Sequence, residues 1–174
     1  MKLSQLLQDI RVKHYDIRLE NVEINDIKIS HKDVKQGDLF IALKGGRFDG
    51  NDYINEAFEN GAKVVFSEND IFDSRAVQVE NARSAYAIAS KNFFGRACDQ
   101  LKLIGITGTN GKTTIANTTA EILRYSGAKV GVIGTLGAKI DGDSVETGLT
   151  TPDPYTLHSL FKEMEEKGCE YAVM

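Results

Sequence analysis

Residues 101–114 read Leu-Lys-Leu-Ile-Gly-Ile-Thr-Gly-Thr-Asn-Gly-Lys-Thr-Thr. An apolar run enters a glycine-rich turn, and Lys112, Thr113 and Thr114 then open a stretch with helical spacing. A strand–loop–helix unit of this kind must bury its strand in a sheet and its helix on that sheet's face, which commits the chain to an α/β fold. The turn aims backbone N–H groups into a concavity at the positive end of a helix, a geometry that suits a phosphate chain. Lys112 then offers a point charge to the outer phosphates, and the Thr113 hydroxyl offers a ligand to Mg²⁺. In the general pattern G-x-x-x-x-G-K-T the first glycine falls at position 106, where this chain has Ile106; glycines stand instead at Gly105 and Gly108. The tight core is Gly108-Thr109-Asn110-Gly111-Lys112-Thr113. A glycine-rich strand–helix turn without a ligand is the bland alternative.

Bulk composition excludes more than it assigns. The chain has 174 residues, enough for one or two domains with a real core. A net charge of −4 gives no basic field for nucleic acid and no polybasic patch for a membrane. No apolar run is long enough to span a bilayer. Near the N-terminus Leu3, Leu6, Leu7 and Ile10 follow helical spacing, which predicts a short amphipathic helix rather than a signal peptide. Cys98 and Cys169 lie far apart without a C-x-x-C pattern and read as reduced, structural thiols of a cytoplasmic protein. His14 and His158 have no partners at ligand spacing and read as surface or helix-face residues.

The first half alternates strands and helices. Val22, Ile24, Ile27 and Ile29 suggest a strand pair or bulged strand, and 38–43 a buried strand. A helix starting at 49–52 carries Ile54, Ala57 and Phe58 and stops at Gly61. Strands follow at 62–66 and 76–79, then a helix capped by Asn81 with Ala85, Ala89 and Phe93 on one face. The polar stretch 95–100 has no periodicity, so the domain boundary is expected there, giving domains 1–97 and 98–174. In the second half the strand at 101–106 and a helix to about Tyr125 precede a strand at 130–133. A hairpin is expected over 136–145 around Asp141-Gly142. Thr151 is placed as the cap of a helix opened by Pro152-Asp153-Pro154 and bearing Leu157, Leu160, Phe161 and Met164. Residues 170–174 read as a final strand. From 101 onward there is material for about three strands of a mainly parallel sheet and no acidic strand-end motif. The second domain therefore reads as incomplete, and the chain as a fragment of a longer protein.

Several separated stretches together resemble the Mur ligases, the ATP-dependent amide-bond-forming enzymes of peptidoglycan assembly. Residues 105–114 are similar to their phosphate loop, including the non-glycine at 106. Gly37-Asp38-Leu39-Phe40-Ile41-Ala42-Leu43-Lys44-Gly45 with Asp49-Gly50 resembles the signature of their N-terminal, nucleotide-sugar-binding α/β domain. Ile133-Gly134-Thr135-Leu136 with Thr150-Thr151-Pro152-Asp153 is similar to the E type, which adds the third amino acid to UDP-N-acetylmuramoyl-L-alanyl-D-glutamate. Tyr171-Ala172-Val173-Met174 resembles the lead-in to that type's next motif.

The resemblance implies roles by position. Gly108, Thr109, Asn110, Gly111, Lys112, Thr113 and Thr114 would bind ATP, with Lys112 and Thr113 catalytic and Thr113 on Mg²⁺. Thr150 and Thr151 would contact the muramoyl substrate, helix capping being the bland reading. Gly46, Arg47 and Phe48 would meet the uridine end, Arg47 pairing with pyrophosphate and Phe48 stacking on uracil. A solvated cation for Arg47 and a core position for Phe48 are the alternatives. Where the family carries Asp-Ser-Arg, this chain has Ser30-His31-Lys32. His31 holds the nucleotide-binding serine's place, and in a strand Ser30 would point to the other face. At a bulged edge Ser30 would still serve, so both Ser30 and His31 are candidates for the substrate contact. Leu149 replaces a polar residue before the threonines. The implied cofactors are ATP and Mg²⁺, and the implied partners are small molecules, with no nucleic acid and no membrane. The parent protein is expected to be a monomer, and the fragment to self-associate through uncovered apolar faces.

The implied chemistry is ligation through an acyl phosphate in the cytoplasm. The carbamylated lysine, acidic magnesium ligands and amino-acid-selecting C-terminal domain of that chemistry lie outside 1–174, so the chain alone is expected to be inactive. Three rivals stand beside this reading. One is a folate- or polyglutamate-directed relative, against which the 37–50 segment argues. The others are a non-catalytic UDP-sugar-binding module and a generic phosphate-loop kinase or GTPase.

Overall fold

The computed structural model describes residues 1–46, 48–140, 143–145 and 151–174. It divides the chain into two compact α/β units, Met1–Phe93 and Phe94–Met174. The turn Ala97–Gln100 belongs by its contacts to the second unit, where Ala97 and Leu101 are buried in the core.

The first unit is a five-stranded sheet in the order β1-β5-β4-β3-β2. Its strands are β1 Val12–Tyr15, β2 Ile27–Lys28, β3 Leu39–Ile41, β4 Val64–Ser67 and β5 Ala76–Val79. Strands β2 to β5 run parallel, and β1 joins β5 antiparallel. Every residue of β3 and β4 is buried, as central parallel strands covered on both faces require. Helix α2 (Ile54–Glu59) sets Ile54 and Ala57 against Phe40 and Val65. Helix α3 (Ala82–Phe93) contacts α1 (Leu3–Leu6) and β4. The buried Asn92 amide donates to the carbonyls of Leu6 and Gln8 at 3.1 and 2.7 Å, answering acceptors that the end of α1 leaves open.

The second unit is a mixed five-stranded sheet, β6-β10-β7-β8-β9. It comprises β6 Lys102–Ile104, β7 Val130–Gly134, β8 Gly137–Ile140, β9 Asp143–Val145 and β10 Tyr171–Val173. Strands β6, β10 and β7 are parallel, whereas β7, β8 and β9 form an antiparallel meander. Side chains alternate across the sheet with period two. Ile133 and Ala172 pack with Leu160, Phe161 and Met164 of α5 (Pro154–Glu166), while Val130, Val132 and Val173 pack with Ala116 and Ala120 of α4 (Lys112–Tyr125). Ile115, Ile122 and Tyr125 leave an apolar stripe of α4 exposed.

The structure departs from the sequence reading at four places. The N-terminal helix is one turn long: it ends at Leu7, and Asp9 at φ 66° breaks the spacing before Ile10 can join it. Strand β1 lies at an edge with only Val12 and Tyr15 half-buried and its register broken between Val12 and His14, so it shows no period-two alternation in the sequence. Helix α5 is capped by Asp153, not Thr151; the Asp153 carboxylate accepts from the N–H groups of Tyr155 and Thr156 at 3.0 and 3.4 Å. A cap must stand immediately before the first helical residue, and that residue is Pro154. The second unit's sheet is half antiparallel, because the expected hairpin pairs with β7 and continues its sheet. The Asp141-Gly142 turn itself lies outside the described residues, as do Arg47 and Thr150.

Candidate functional site

The second unit builds its site where β6 ends. The chain turns through 105–111 and enters α4 at Lys112, with Gly111 at φ 79° as the residue before the helix. That left-handed conformation is open to glycine and strained for a side chain. No side chain caps α4, and its first turn holds no acidic residue. The N-terminal N–H groups of a helix have no partners within it, and together with the helix dipole they attract an anion.

The other long helices differ. Asp153 takes the donors of α5, and at α3 the Asn81 side chain accepts from Ser84 N–H while Glu68 accepts from Ala82 N–H. Among the described residues, α4 is the long helix whose N-terminus carries no such side-chain cap.

The Lys112 ammonium donates to the Gly108 carbonyl at 2.5 Å, closing the turn over its own backbone. The Thr113 hydroxyl stands 3.4 Å from that of Thr135, at the tip of the β7–β8 turn, and the Asn117 amide donates to the Thr113 carbonyl at 2.8 Å. Thr113, Asn117, Thr135 and Ser144 line a cavity of ≈ 270 Å³ beside the helix. The structure thus brings Gly108 to Thr114 into one exposed loop and helix start. Uncapped amides, an ammonium and a hydroxyl form the donor set that a phosphate chain with Mg²⁺ requires. Thr135 was not expected at this site; its signal is the pair of glycines, Gly134 and Gly137, that mark a two-residue turn at a strand end.

The first unit holds a second cavity, of ≈ 490 Å³, whose lining includes Ser30, His31, Phe48, Tyr53 and Glu56. Ser30 and His31 are not in a strand. They open a 3-10 turn over His31–Asp33, in which Asp33 N–H donates to Ser30 O at 3.1 Å, so strand alternation does not separate them and both border the cavity. The His31 ring stacks on Tyr53 with centroids 4.3 Å apart and an interplanar angle of 2°. Its Nε2 lies 3.3 Å from the Glu56 carboxylate, and the Asn60 amide holds the His31 carbonyl at 2.9 Å. Tyr53 ends the 3-10 turn Gly50–Tyr53 and Glu56 lies in the first turn of α2 that follows it directly, and both reach His31. Phe48 is 71% exposed at the cavity's edge, which removes the core reading for it. Gly46 is exposed on the same loop, and Thr151 is exposed before α5. Cys98 and Cys169 are free thiols, and Cys169 is buried. His14 is exposed on β1, and His158 sits on α5 edge-on to Phe161. No described helix is long and apolar enough to cross a membrane, and no group of three or more metal-ligating side chains occurs among the described residues.

Comparison with known proteins agrees with this layout. The sequence model of the Mur ligase family, catalytic domain, matches residues 23–96, and that of the Mur ligase middle domain matches 106–174. The UDP-N-acetylmuramoyl-L-alanyl-D-glutamate--2,6-diaminopimelate ligase of Clostridium perfringens is 41% identical over 158 residues, which cover 89% of this chain and 33% of the relative. A solved structure of a ligase of the same name superposes with a TM-score of 0.76 at 23% identity, over 92% of this chain and 34% of that one, a likeness of fold. The structure of a MurF ligase from Thermotoga maritima in complex with ADP superposes with a TM-score of 0.56 at 26% identity, over 87% of this chain and 31% of that one. The chain spans about a third of the length of the curated relatives it matches. Two models of one family, matched in order along most of the chain, and a glycine-lysine-threonine turn opening the second of them, place the chain in the Mur ligase family.

Proposed function

We propose that this chain provides the nucleotide-sugar-binding and ATP-binding parts of an E-type Mur ligase, which adds the third amino acid to UDP-N-acetylmuramoyl-L-alanyl-D-glutamate in the cytoplasm during peptidoglycan assembly. The observation that carries the reading is the uncapped start of α4, with Lys112 and Thr113 at its mouth. The curated relatives named for this ligation, and the ADP held by a structural neighbour, support it.

A carboxylate resists attack by an amine at neutral pH. Phosphoryl transfer from ATP gives its carbon a leaving group: the bond from the γ-phosphorus to the bridging oxygen breaks as the carboxylate oxygen bonds phosphorus. An amine then attacks the acyl carbon, phosphate leaves, and an amide forms. This chain's contribution is positioning and charge neutralisation. The amides of 108–114 hold the phosphates in place, and the Lys112 ammonium exchanges its carbonyl partner for a phosphate oxygen. The Thr113 hydroxyl is the protein ligand offered to Mg²⁺, which when bound supplies further neutralisation at the phosphates. Thr150 and Thr151 are assigned to the muramoyl end, and Ser30, His31, Gly46, Arg47 and Phe48 to the uridine end.

Isothermal titration with UDP-N-acetylmuramoyl-dipeptide and, separately, with Mg·ATP tests the reading. Binding of both supports it. Binding of the nucleotide sugar alone would instead favour a non-catalytic capture module.

A further inference from the structure

One wall of the first unit's cavity is not held by the sheet. After β3 the chain runs out as a narrow ribbon in which Lys44 and Asp49 form an antiparallel bridge. Gly45 N–H donates to Phe48 O at 2.8 Å, and Gly50 N–H donates to Leu43 O at 2.9 Å. Backbone groups in such a ribbon alternate between facing the partner strand and facing away. Leu43 and Gly45 face inward, which leaves the Lys44 carbonyl outward. Arg83 takes it: its Nη2 donates to Lys44 O at 2.9 Å, across 39 residues of sequence. Among the described residues, this is the hydrogen bond that reaches 44–48 from outside the ribbon.

Arg83 can serve as a fixed post because the first turn of α3 is itself pinned. Asn81 Oδ1 accepts from Ser84 N–H and Glu68 Oε1 from Ala82 N–H, each at 2.8 Å. The foot of the ribbon is also tight. A Cβ on Gly50 would stand 2.8 Å from Leu43 N, and the Asn51 side-chain oxygen meets the Ser67 hydroxyl at 2.6 Å. Between these supports hangs the tip bearing the exposed Phe48. An exposed ribbon with few bonds opens more readily than the core beneath it, and ordering it upon binding would cost affinity.

We propose that Arg83 is a positioning residue for nucleoside binding: its bond to the Lys44 carbonyl holds the ribbon so that Phe48 stands ready as a wall of the cavity. The proposal rests on the reading that this cavity takes the uridine end of a nucleotide sugar. Removing the guanidinium loosens the wall without touching the ligand, so its effect passes through the ribbon, whose exposed aromatic at the cavity is Phe48.

The test is a double-mutant cycle on the 174-residue chain, titrated with UDP. Arg83→Gln is expected to weaken UDP binding by about tenfold, the scale of one charge-assisted hydrogen bond. Arg83→Lys is expected to recover most of that loss, and Mg·ATP binding to stay unchanged. In a Phe48→Ala background the same Arg83→Gln change is expected to add less than about twofold. Without ligand, amide exchange at Gly45 and Gly50 is expected to accelerate in Arg83→Gln. Full additivity of the two substitutions, unchanged UDP affinity in Arg83→Gln, or unchanged exchange at the two glycines each overturns the proposal. Phe48→Ala binding UDP as tightly as wild type also overturns the proposal, whereas a wild-type chain that does not bind UDP overturns the nucleotide reading of the cavity itself.

Discussion

The Thr113 and Thr135 hydroxyl oxygens lie 3.4 Å apart, joining the first turn of α4 to the β7–β8 turn. The contact orients the oxygen assigned to Mg²⁺ from a neighbouring element of the same sheet. Thr135→Val keeps the shape and removes the hydroxyl. It is expected to weaken Mg·ATP binding by about fivefold, the scale of one neutral hydrogen bond, with UDP binding unchanged. Calorimetric titration of both ligands checks this.

Lys112→Ala removes the ammonium that stands over the loop. Its recorded bond is to the carbonyl of Gly108 in an exposed turn, so little folding energy depends on it. Mg·ATP binding is expected to fall by about 100-fold or more, while the unfolding free energy from urea titration stays within about 0.5 kcal/mol of wild type. A large loss of stability together with binding would remove Lys112 from its assigned role.

Met164 is fully buried between α5 and the sheet. Met164→Ala leaves a void there and is expected to cost about 2–5 kcal/mol. Equilibrium unfolding in urea measures it, and the same curve tests Asp153→Ala. That change strips the cap from α5 and is expected to cost about 1 kcal/mol.

Acid sensitivity follows from surface carboxylates with basic partners. The Arg18 side chain beside Asp16 holds its carboxyl down to about 2, from an ordinary 3.8. Lys167 lowers the Asp143 carboxyl, and Arg75 lowers that of Asp73, in each case mainly by a side-chain hydrogen bond. A carboxyl whose folded value is depressed stabilises the fold above its unfolded value and loses that contribution as pH falls through the folded one. Stability is therefore expected to hold from neutral pH to about 5 and to drop between about 4 and 2. Asp16→Asn is expected to flatten part of that drop. A urea series across pH reads it, and an Asp16→Asn curve parallel to wild type would contradict the assignment.

Local pattern made much of the fold legible. The run 101–106 and the glycines before Lys112 announced strand, loop and helix, because each step has its own residue chemistry. Strands β3 and β4 were equally plain, since central parallel strands are apolar throughout. Strand β1 was not, because its burial depends on the antiparallel neighbour β5. The cap of α5 lies two residues beyond the Thr151 that the sequence suggests: Thr151 and Asp153 are both good caps, and only the backbone decides which one precedes the first helical residue. A strand would set Ser30 and His31 on opposite faces, yet a 3-10 turn sets both beside one cavity.

The sequence by itself determined the α/β class, the strand, glycine-rich turn and helix start around Gly108 to Thr114, and the order of the family's motifs. These depend on neighbours in the chain, on backbone freedom at glycine, and on charge and hydroxyl groups at fixed spacing. Tertiary structure alone decided that Thr135 meets Thr113, that Tyr53 and Glu56 enclose His31, and that Arg83 reaches the carbonyl of Lys44. Each of those is a contact between separate elements, set by sheet order and helix packing, which no local spacing encodes.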